Sequence, residues 1–430
     1  MTTVYTTNPR NSTRTVSSGA GPFQIHANHS PPQKYLCFIA LFASGERFPV
    51  LLHESTYQPV VLVTRYIIDE RRENKQSSTV ARDVRVLRWF YEWCDKTKIR
   101  LEKRLRAGDM LTKAEVTSFC RYLRAFRRSN VSGSIELHST AQRSGVMSPE
   151  TFNSYIGVVQ DFLLWAAYEF IPTATPEGSV RETLRFALDR LRRSFRSNLK
   201  AGKSIPSRCG LSREEVERVR SVIDPGATVN PFKKCVRFRN WLIFELMLAT
   251  GIRRGELLKL KLQHLPVGSK TTLSIIRAPD DKADPRRHEP QVKTRIREIP
   301  LHKWLARMLW RYVQQYRPTR DKSQTYLFTS TRGCPMSSGA INWIFSFLVR
   351  TCLSDLNGEL SPHTMRHTYN EQLVELAESL GYTQKQTEEM QRYLNGWSDI
   401  SEMPTRYTRR IIEARAMAIA ENYQNQLYAF

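Results

Sequence analysis

The sequence has no cysteine pair at metal-ligand spacing, no apolar run long enough to cross a membrane, and few acidic residues for its size. Its seven cysteines stand singly at 37, 94, 120, 209, 235, 334 and 352. Their odd number argues against a disulfide framework, and reduced cytosolic thiols are the simplest reading. The longest apolar stretches, Tyr35 to Ala43 and Leu242 to Thr250, fall well short of the roughly 20 residues a membrane helix needs, and the second contains Glu245. The opening residues, MTTVYTTNPRNSTRTVSSGAGPF, hold no apolar core and do not read as a secretory signal. No glycine-rich phosphate loop occurs, so nothing points to nucleotide-driven chemistry.

Acid is scarce: 41 Asp and Glu stand against 66 Lys and Arg, a net charge of +25 over 430 residues. With 40% hydrophobic residues the chain has enough apolar material for real cores and is not simply a basic tail. A folded chain of this charge favours a polyanion, and nucleic acid is the usual one; charge kept only for solubility is the alternative. Residues 1–206 carry net +13 and residues 207–430 net +12. Both halves therefore offer basic faces, as in a clamp around a duplex.

Residues 1–33, rich in Ser, Thr, Asn, Gly and Pro, read as disordered. Residues 34–57 hold a possible β-hairpin that turns at Ser44-Gly45-Glu46, with a short helix and loop as the alternative. From 58 to 199 the pattern is helical. Val80, Val84, Leu87, Phe90 and Trp93 recur at steps of three and four, and Thr112 with Glu115 makes a capping box. Arg121, Arg124, Arg128, Arg193 and Arg196 stand at helix-face spacing and are DNA-contact candidates; an ordinary solvated face is the plain reading of any one of them. Residues 200–210, which include Lys203 as a further candidate, read as a linker. A second domain spans 211–410. It opens with the capping box Ser212–Glu215 and contains strand-like pieces at 271–279 and 291–301 around a polar excursion at 280–290. Residues 411–430 form a helical tail.

Four segments of the second half carry chemistry. In Thr250-Gly251-Ile252-Arg253-Arg254-Gly255-Glu256 a helix ends at Gly251 and another begins beside Arg253. A guanidinium and free N–H groups there suit an anion, with Glu256 three residues on to hold the arginine. Lys293 lies on the strand leading to Arg297 and Pro300. In Ser361-Pro362-His363-Thr364-Met365-Arg366-His367 the His363 and Arg366 positions share a helix face. The guanidinium between His363 and His367 argues against zinc. Finally, Asn395-Gly396-Trp397-Ser398 offers an indole N–H and Thr405-Arg406-Tyr407-Thr408 a phenol.

Taken together, residues 211–415 resemble the tyrosine recombinases of the phage-integrase family. The resemblance rests on an Arg in T-G-x-R-x-x-E, a hairpin Lys, H-x-x-R, a His or Trp after Gly, and a nucleophilic Tyr. These fall in order on Arg253, Lys293, His363, Arg366, Trp397 and Tyr407. Arg254, adjacent to Arg253, is left as a phosphate-contact candidate. The family implies a mostly α fold: an all-helical N-terminal core-binding domain, then an α+β catalytic domain with a small antiparallel sheet. It implies double-stranded DNA as partner, a homotetramer on two duplexes, accessory recombination proteins, no cofactor or metal, and a cytoplasmic, nucleoid-associated setting. Departures are Trp397 in place of the commoner His, the insertion at 280–290, and a long stretch from Arg366 to Trp397. The expected activity is strand cleavage and rejoining through a 3′-phosphotyrosine. A type IB topoisomerase and an inactive DNA-binding regulator of a mobile element are the alternatives.

Overall fold

A computed structural model describes residues 34–130, 147–170, 178–202, 210–268, 271–321 and 324–427. The disorder expected for 1–33 and the candidate Lys203 lie outside these residues.

The chain opens with strands β1 (Tyr35–Leu41) and β2 (Arg47–His53), antiparallel, with Tyr35 opposite His53 and Leu41 opposite Arg47. Helices follow: α1 (Val61–Tyr66), ending in a π turn, α2 (Ser77–Lys96), α3 (Leu101–Arg106), α4 (Lys113–Asn130), α5 (Pro149–Glu169) and α6 (Gly178–Arg196). Caps set their starts. Thr112 and Glu115 exchange side chain-to-backbone bonds ahead of α4, and Ser148 accepts from Thr151 N with Pro149 in the first turn of α5. The apolar steps of α2 bury Val80, Val84, Leu87, Phe90 and Trp93. Phe90 meets Phe119 of α4 edge-on at 5.3 Å, and Phe162 of α5 closes the same core. Each such ring contributes roughly 1.5–3 kcal/mol by leaving water.

The second half comprises α7 (Arg213–Ile223), α8 (Lys234–Thr250), α9 (Arg254–Lys259), β3 (Thr272–Ile275), β4 (Arg297–Pro300), α10 (Lys303–Arg311), α11 (Ser338–Cys352), α12 (Pro362–Ser379), α13 (Gln384–Asn395) and α14 (Met403–Leu427). Ser212 and Glu215 form the capping box that starts α7. Helix α8 is apolar on nearly every side and is buried accordingly; α12 packs on it and also meets α13 and α14. The chain is mostly helical, with two small antiparallel sheets among the described residues.

Two features differ from the sequence reading. The second sheet is only four residues per strand, Thr272 opposite Pro300 and Ile275 opposite Arg297. Lys293 thus precedes β4 in the connecting segment and is not on a strand. The side chains of Thr294 and Arg297 turn to Glu256, and residues 280–289 fold around the Arg286–Asp284 and Lys259–Glu289 ion pairs, so neither stretch extends the ladder. Secondly, α14 runs unbroken through 410, so Tyr407 and the tail share one helix. Ile411 is buried, whereas Ile412, Ala416 and Ile419 are exposed.

Candidate active site

Gly251 ends α8 in the left-handed region, φ 59°, and a Cβ there would collide with the Tyr369 ring. The turn frees the Gly251 carbonyl, which accepts from Arg366 Nη1 at 2.7 Å. It also sets Arg253 at the N-cap of α9, where its backbone N–H donates to Glu256 Oε2 at 3.0 Å. Ser361 caps α12 by accepting from Thr364 N, with Pro362 in the first turn, and this aims Arg366 inward.

Arg253 and Arg366 converge on one acceptor. Arg253 Nη1 lies 3.4 Å and Arg366 Nη2 3.3 Å from the Asn395 carbonyl oxygen at the end of α13. A carbonyl only partly satisfies two guanidinium groups, and Arg366 is 2% exposed. Burial, with Arg253 beside it, pushes its pKa down to about 9, Glu256 and Tyr407 partly offsetting. Burial also lowers that of Arg253, against Glu256. One buried and one half-buried cation near one point create a demand for an anion.

Glu256 organises this ground. Its carboxylate accepts from Thr294 Oγ1 at 2.6 Å and Arg297 Nη2 at 2.8 Å, and lies 3.6 Å from Arg253 Nη1. Burial pushes its pKa up but Arg297 prevails, so the group is held below its ordinary value. Arg297 Nε also donates to the Leu394 carbonyl at 2.7 Å, and Arg295 N to the Gly396 carbonyl at 3.0 Å. The Lys293 segment is thereby tied to the loop that carries Trp397.

Trp397 is stacked on Tyr407, centroids 5.8 Å apart and planes 19° apart, with the Arg366 guanidinium 5.0 Å over its own ring. Its buried indole N–H meets no acceptor among the described residues. Tyr407, 2% exposed, also faces the His367 ring at 5.3 Å, and His367 meets His363 edge-on at 4.4 Å. The fields of both arginines reach the phenol. Lys293 is exposed and lines, with Arg253, Trp397, Thr294 and Arg277, an open cleft of about 540 Å³.

Arg253, Lys293 and Trp397 therefore share a cleft wall. Arg366 and Tyr407 lie behind it against Trp397, and His363 joins through His367. Arg254 stands apart: its Nη1 donates to Asn342 Oδ1 of α11 at 2.5 Å. On the helical domain Arg121, Arg193 and Arg196 are exposed, and Arg193 lies 4.0 Å from Asp189. Arg124 is half-buried, its guanidinium 4.4 Å over the Phe152 ring. Arg128 belongs to α4, but its side chain lies outside the described residues.

Sequence reasoning missed the buried amides behind the arginines. Asn395 Nδ2 donates to Asn370 Oδ1 at 2.7 Å, Gln391 Nε2 to the Asn370 carbonyl at 3.2 Å, and Asn370 Nδ2 to the Arg366 carbonyl at 2.8 Å. The only trace was a polar residue at each of three helix positions. No described helix is long and apolar enough to cross a membrane.

Residues 211–411 match the model of the phage integrase family. Tyrosine recombinase XerC of Bacillus pumilus is 27% identical over 180 residues, 41% of this chain and 50% of the relative. Tyrosine recombinase XerD of Listeria innocua is 27% identical over 207 residues, 47% and 58% of the two chains. The chain thus spans about half the length of the curated relatives it matches. The Tn1549 transposon integrase, solved in complex with transposon right end DNA, aligns over 83% of this chain and 98% of its own at 17% identity, TM-score 0.47. Residues 211–411, which hold Arg253, His363, Arg366 and Tyr407 in the order noted above, thus form a domain that matches the phage integrase family.

Proposed function

We propose that this protein is a site-specific DNA recombinase that cuts and rejoins strands through a 3′-phosphotyrosine on Tyr407. The observation that carries this reading is the convergence of Arg253 and Arg366 on one carbonyl beside the Trp397–Tyr407 stack. A scissile phosphate arriving in the cleft replaces that carbonyl as a better acceptor, because its oxygens carry full charge.

Attack on a phosphodiester is slow because the nucleophile meets negative charge, which grows on the non-bridging oxygens. Arg253 and Arg366 bind those oxygens, and the Trp397 indole N–H adds a neutral donor. The Tyr407 oxygen attacks phosphorus and the bond to the 5′-oxygen breaks. Lys293 protonates that leaving oxygen, while His363 assists as hydrogen-bonding partner or as base for Tyr407. The ester conserves the bond energy. The 5′-hydroxyl of a partner strand then attacks it and releases Tyr407.

Exchange between duplexes takes four such sites, hence a homotetramer on two duplexes, with accessory recombination proteins where the sites demand them. The exposed Ile412, Ala416 and Ile419 of α14 fit docking of the tail on a neighbouring copy. Arg121, Arg193 and Arg196 fit contacts to DNA backbone, Arg124, Arg128 and Lys203 are further candidates, and Arg254 fits a phosphate flanking the cleft. The setting is cytoplasmic, on the nucleoid.

The test is covalent capture. Nicked duplexes with randomised arms are incubated with the full chain, and DNA linked to protein is recovered and sequenced. The expected result is one enriched site, capture abolished in Tyr407→Phe, and joined products when two such sites are supplied. Capture that persists in Tyr407→Phe overturns the assignment, and relaxation without two-site products indicates a topoisomerase.

A further inference from the structure

Two segments that fall outside the family's pattern, the β1–β2 hairpin and the insertion at 280–290, meet each other. Arg47, the first residue of β2, is 2% exposed. Its guanidinium donates to the carbonyls of Asp284 at 2.6 Å and Asp281 at 3.2 Å, and lies 3.5 Å from the Glu289 carboxylate. We infer that Arg47 is a positioning residue for Lys293: by gripping Glu289 and the insertion, the N-terminal hairpin fixes the segment that presents the general acid. This rests on the proposed role of Lys293.

Glu289 is the pin. Its carboxylate accepts from the backbone N–H groups of Asp280 and Asp281, each at 3.1 Å, and closes the excursion into a loop. It also pairs with the buried Lys259 at the end of α9. From there the chain runs back along α9 towards the Thr294–Glu256 bond, with Val292 buried on the way. The stretch 289–294 is thus fastened at both ends to the helix whose N-cap is Arg253, and Lys293 projects between the fastenings. Lys293 lies four positions on from Glu289, at most about 14 Å of chain, so little slack exists between pin and acid.

Arg47 differs from the other fastenings in its origin. Lys259 and Glu256 belong to the catalytic half, whereas the hairpin is bound to the helical domain: Ser77 Oγ donates to the Arg47 carbonyl at 2.8 Å, and Arg72 pairs with Glu46 at 2.6 Å. The turn residue Gly45, φ 93°, approaches so closely that a Cβ would strike the Asp280 carbonyl. Arg287 of the insertion reaches back over the Phe38 ring at 4.5 Å. Placement of the acid therefore depends on how the first domain sits, which links that domain's grip on DNA to protonation of the leaving group.

The test uses the full chain and two versions of the captured duplex, one with the natural 5′-oxygen at the scissile phosphate and one with bridging sulfur. A thiolate leaves without a proton, since a thiol pKa is about 8.5 against about 15.7 for water. Arg47→Met keeps the apolar stem and removes the guanidinium; Glu289→Gln removes the charge it grips and serves if Arg47→Met does not fold. Expected is a fall of about 10²-fold in single-turnover cleavage of the oxygen substrate, the scale of general-acid catalysis. Cleavage of the sulfur substrate stays within about threefold of wild type, and Arg47→Lys recovers part of the oxygen rate. Equal slowing on both substrates, or none on either, overturns the inference.

Lys293→Ala separates the two levels. If sulfur rescues Lys293→Ala but not Arg47→Met, the inference about Arg47 fails alone. If sulfur fails to rescue Lys293→Ala, the general-acid reading itself fails. Amide hydrogen exchange at Val292 to Arg295 reads the Arg47 grip without catalysis: faster exchange in Arg47→Met supports it, and unchanged exchange overturns it.

Discussion

The Trp397 indole lies face to face with the Tyr407 ring, 5.8 Å between centroids, and the Arg366 guanidinium covers its own ring at 5.0 Å. One side chain thus touches both the proposed nucleophile and a cation proposed to bind phosphate, and its N–H meets no acceptor among the described residues. Substitution should separate these two contributions. Trp397→Phe keeps the stack and loses the donor, and single-turnover cleavage should fall about 10²-fold, with Trp397→His retaining more activity because it retains a donor. Equal rates for Phe and wild type would leave Trp397 with packing alone.

The two arginine classes should behave oppositely. Arg253→Ala or Arg366→Ala should cost about 10²–10³ in cleavage rate at saturating DNA. Binding should change little. Neutralising Arg193 or Arg196 should instead weaken binding and lower the salt slope by about one per lost contact, with cleavage at saturation preserved. Filter-binding across a salt series and quenched cleavage measure both. A uniform effect across both groups would contradict the division.

Glu256 is the buried anion on which Arg297, Thr294 and the Arg253 backbone depend. Glu256→Ala leaves Arg297 uncompensated at 1% side-chain exposure. Urea unfolding should show a loss of roughly 3–5 kcal/mol, the cost of breaking one side of a buried pair. A loss under 1 kcal/mol would show that Arg297 finds another partner.

These results bear on what the sequence reveals. Local chemistry was legible. The caps at Thr112 and Ser212 follow from bonds spanning three residues, and the hairpin at 35–53 from an apolar run with a Ser-Gly-Glu turn. The six motif residues could be singled out as candidates because chemistry restricts their type and spacing. What stayed hidden depends on partners distant in the chain. Arg47 meets Asp284 across 237 positions, and nothing around either residue marks the encounter. Asn370 and Asn395, 25 apart, looked like ordinary helix polar residues, although their exchange of amide bonds holds the carbonyl both arginines use. Lys293 was expected on a strand because its alternation fits one; the pull of Glu256 on Thr294 and Arg297 delays β4 to position 297.

The insertion at 280–290 should respond to acid. Burial raises the Asp281 pKa, but the bonds from Lys261 at 2.6 Å, Tyr326 at 2.7 Å and the Ala283 N–H outweigh it and hold the group at about 2. Because the folded value lies below the ordinary 3.8, the carboxylate's contribution is complete above about pH 4 and drains away as pH falls towards 2. The Tm of wild type should therefore fall more steeply between pH 4 and pH 2 than that of Asp281→Asn. Parallel slopes would place the acid-sensitive group elsewhere.

In the proposed reaction Tyr407 becomes the protein–DNA ester. Protease digestion of the captured complex, nuclease trimming and mass spectrometry locate the residual nucleotide directly. A 3′-linked nucleotide is expected on the peptide containing Tyr407, and none in Tyr407→Phe. A nucleotide carried by another tyrosine, such as the exposed Tyr382 or Tyr393, would contradict it.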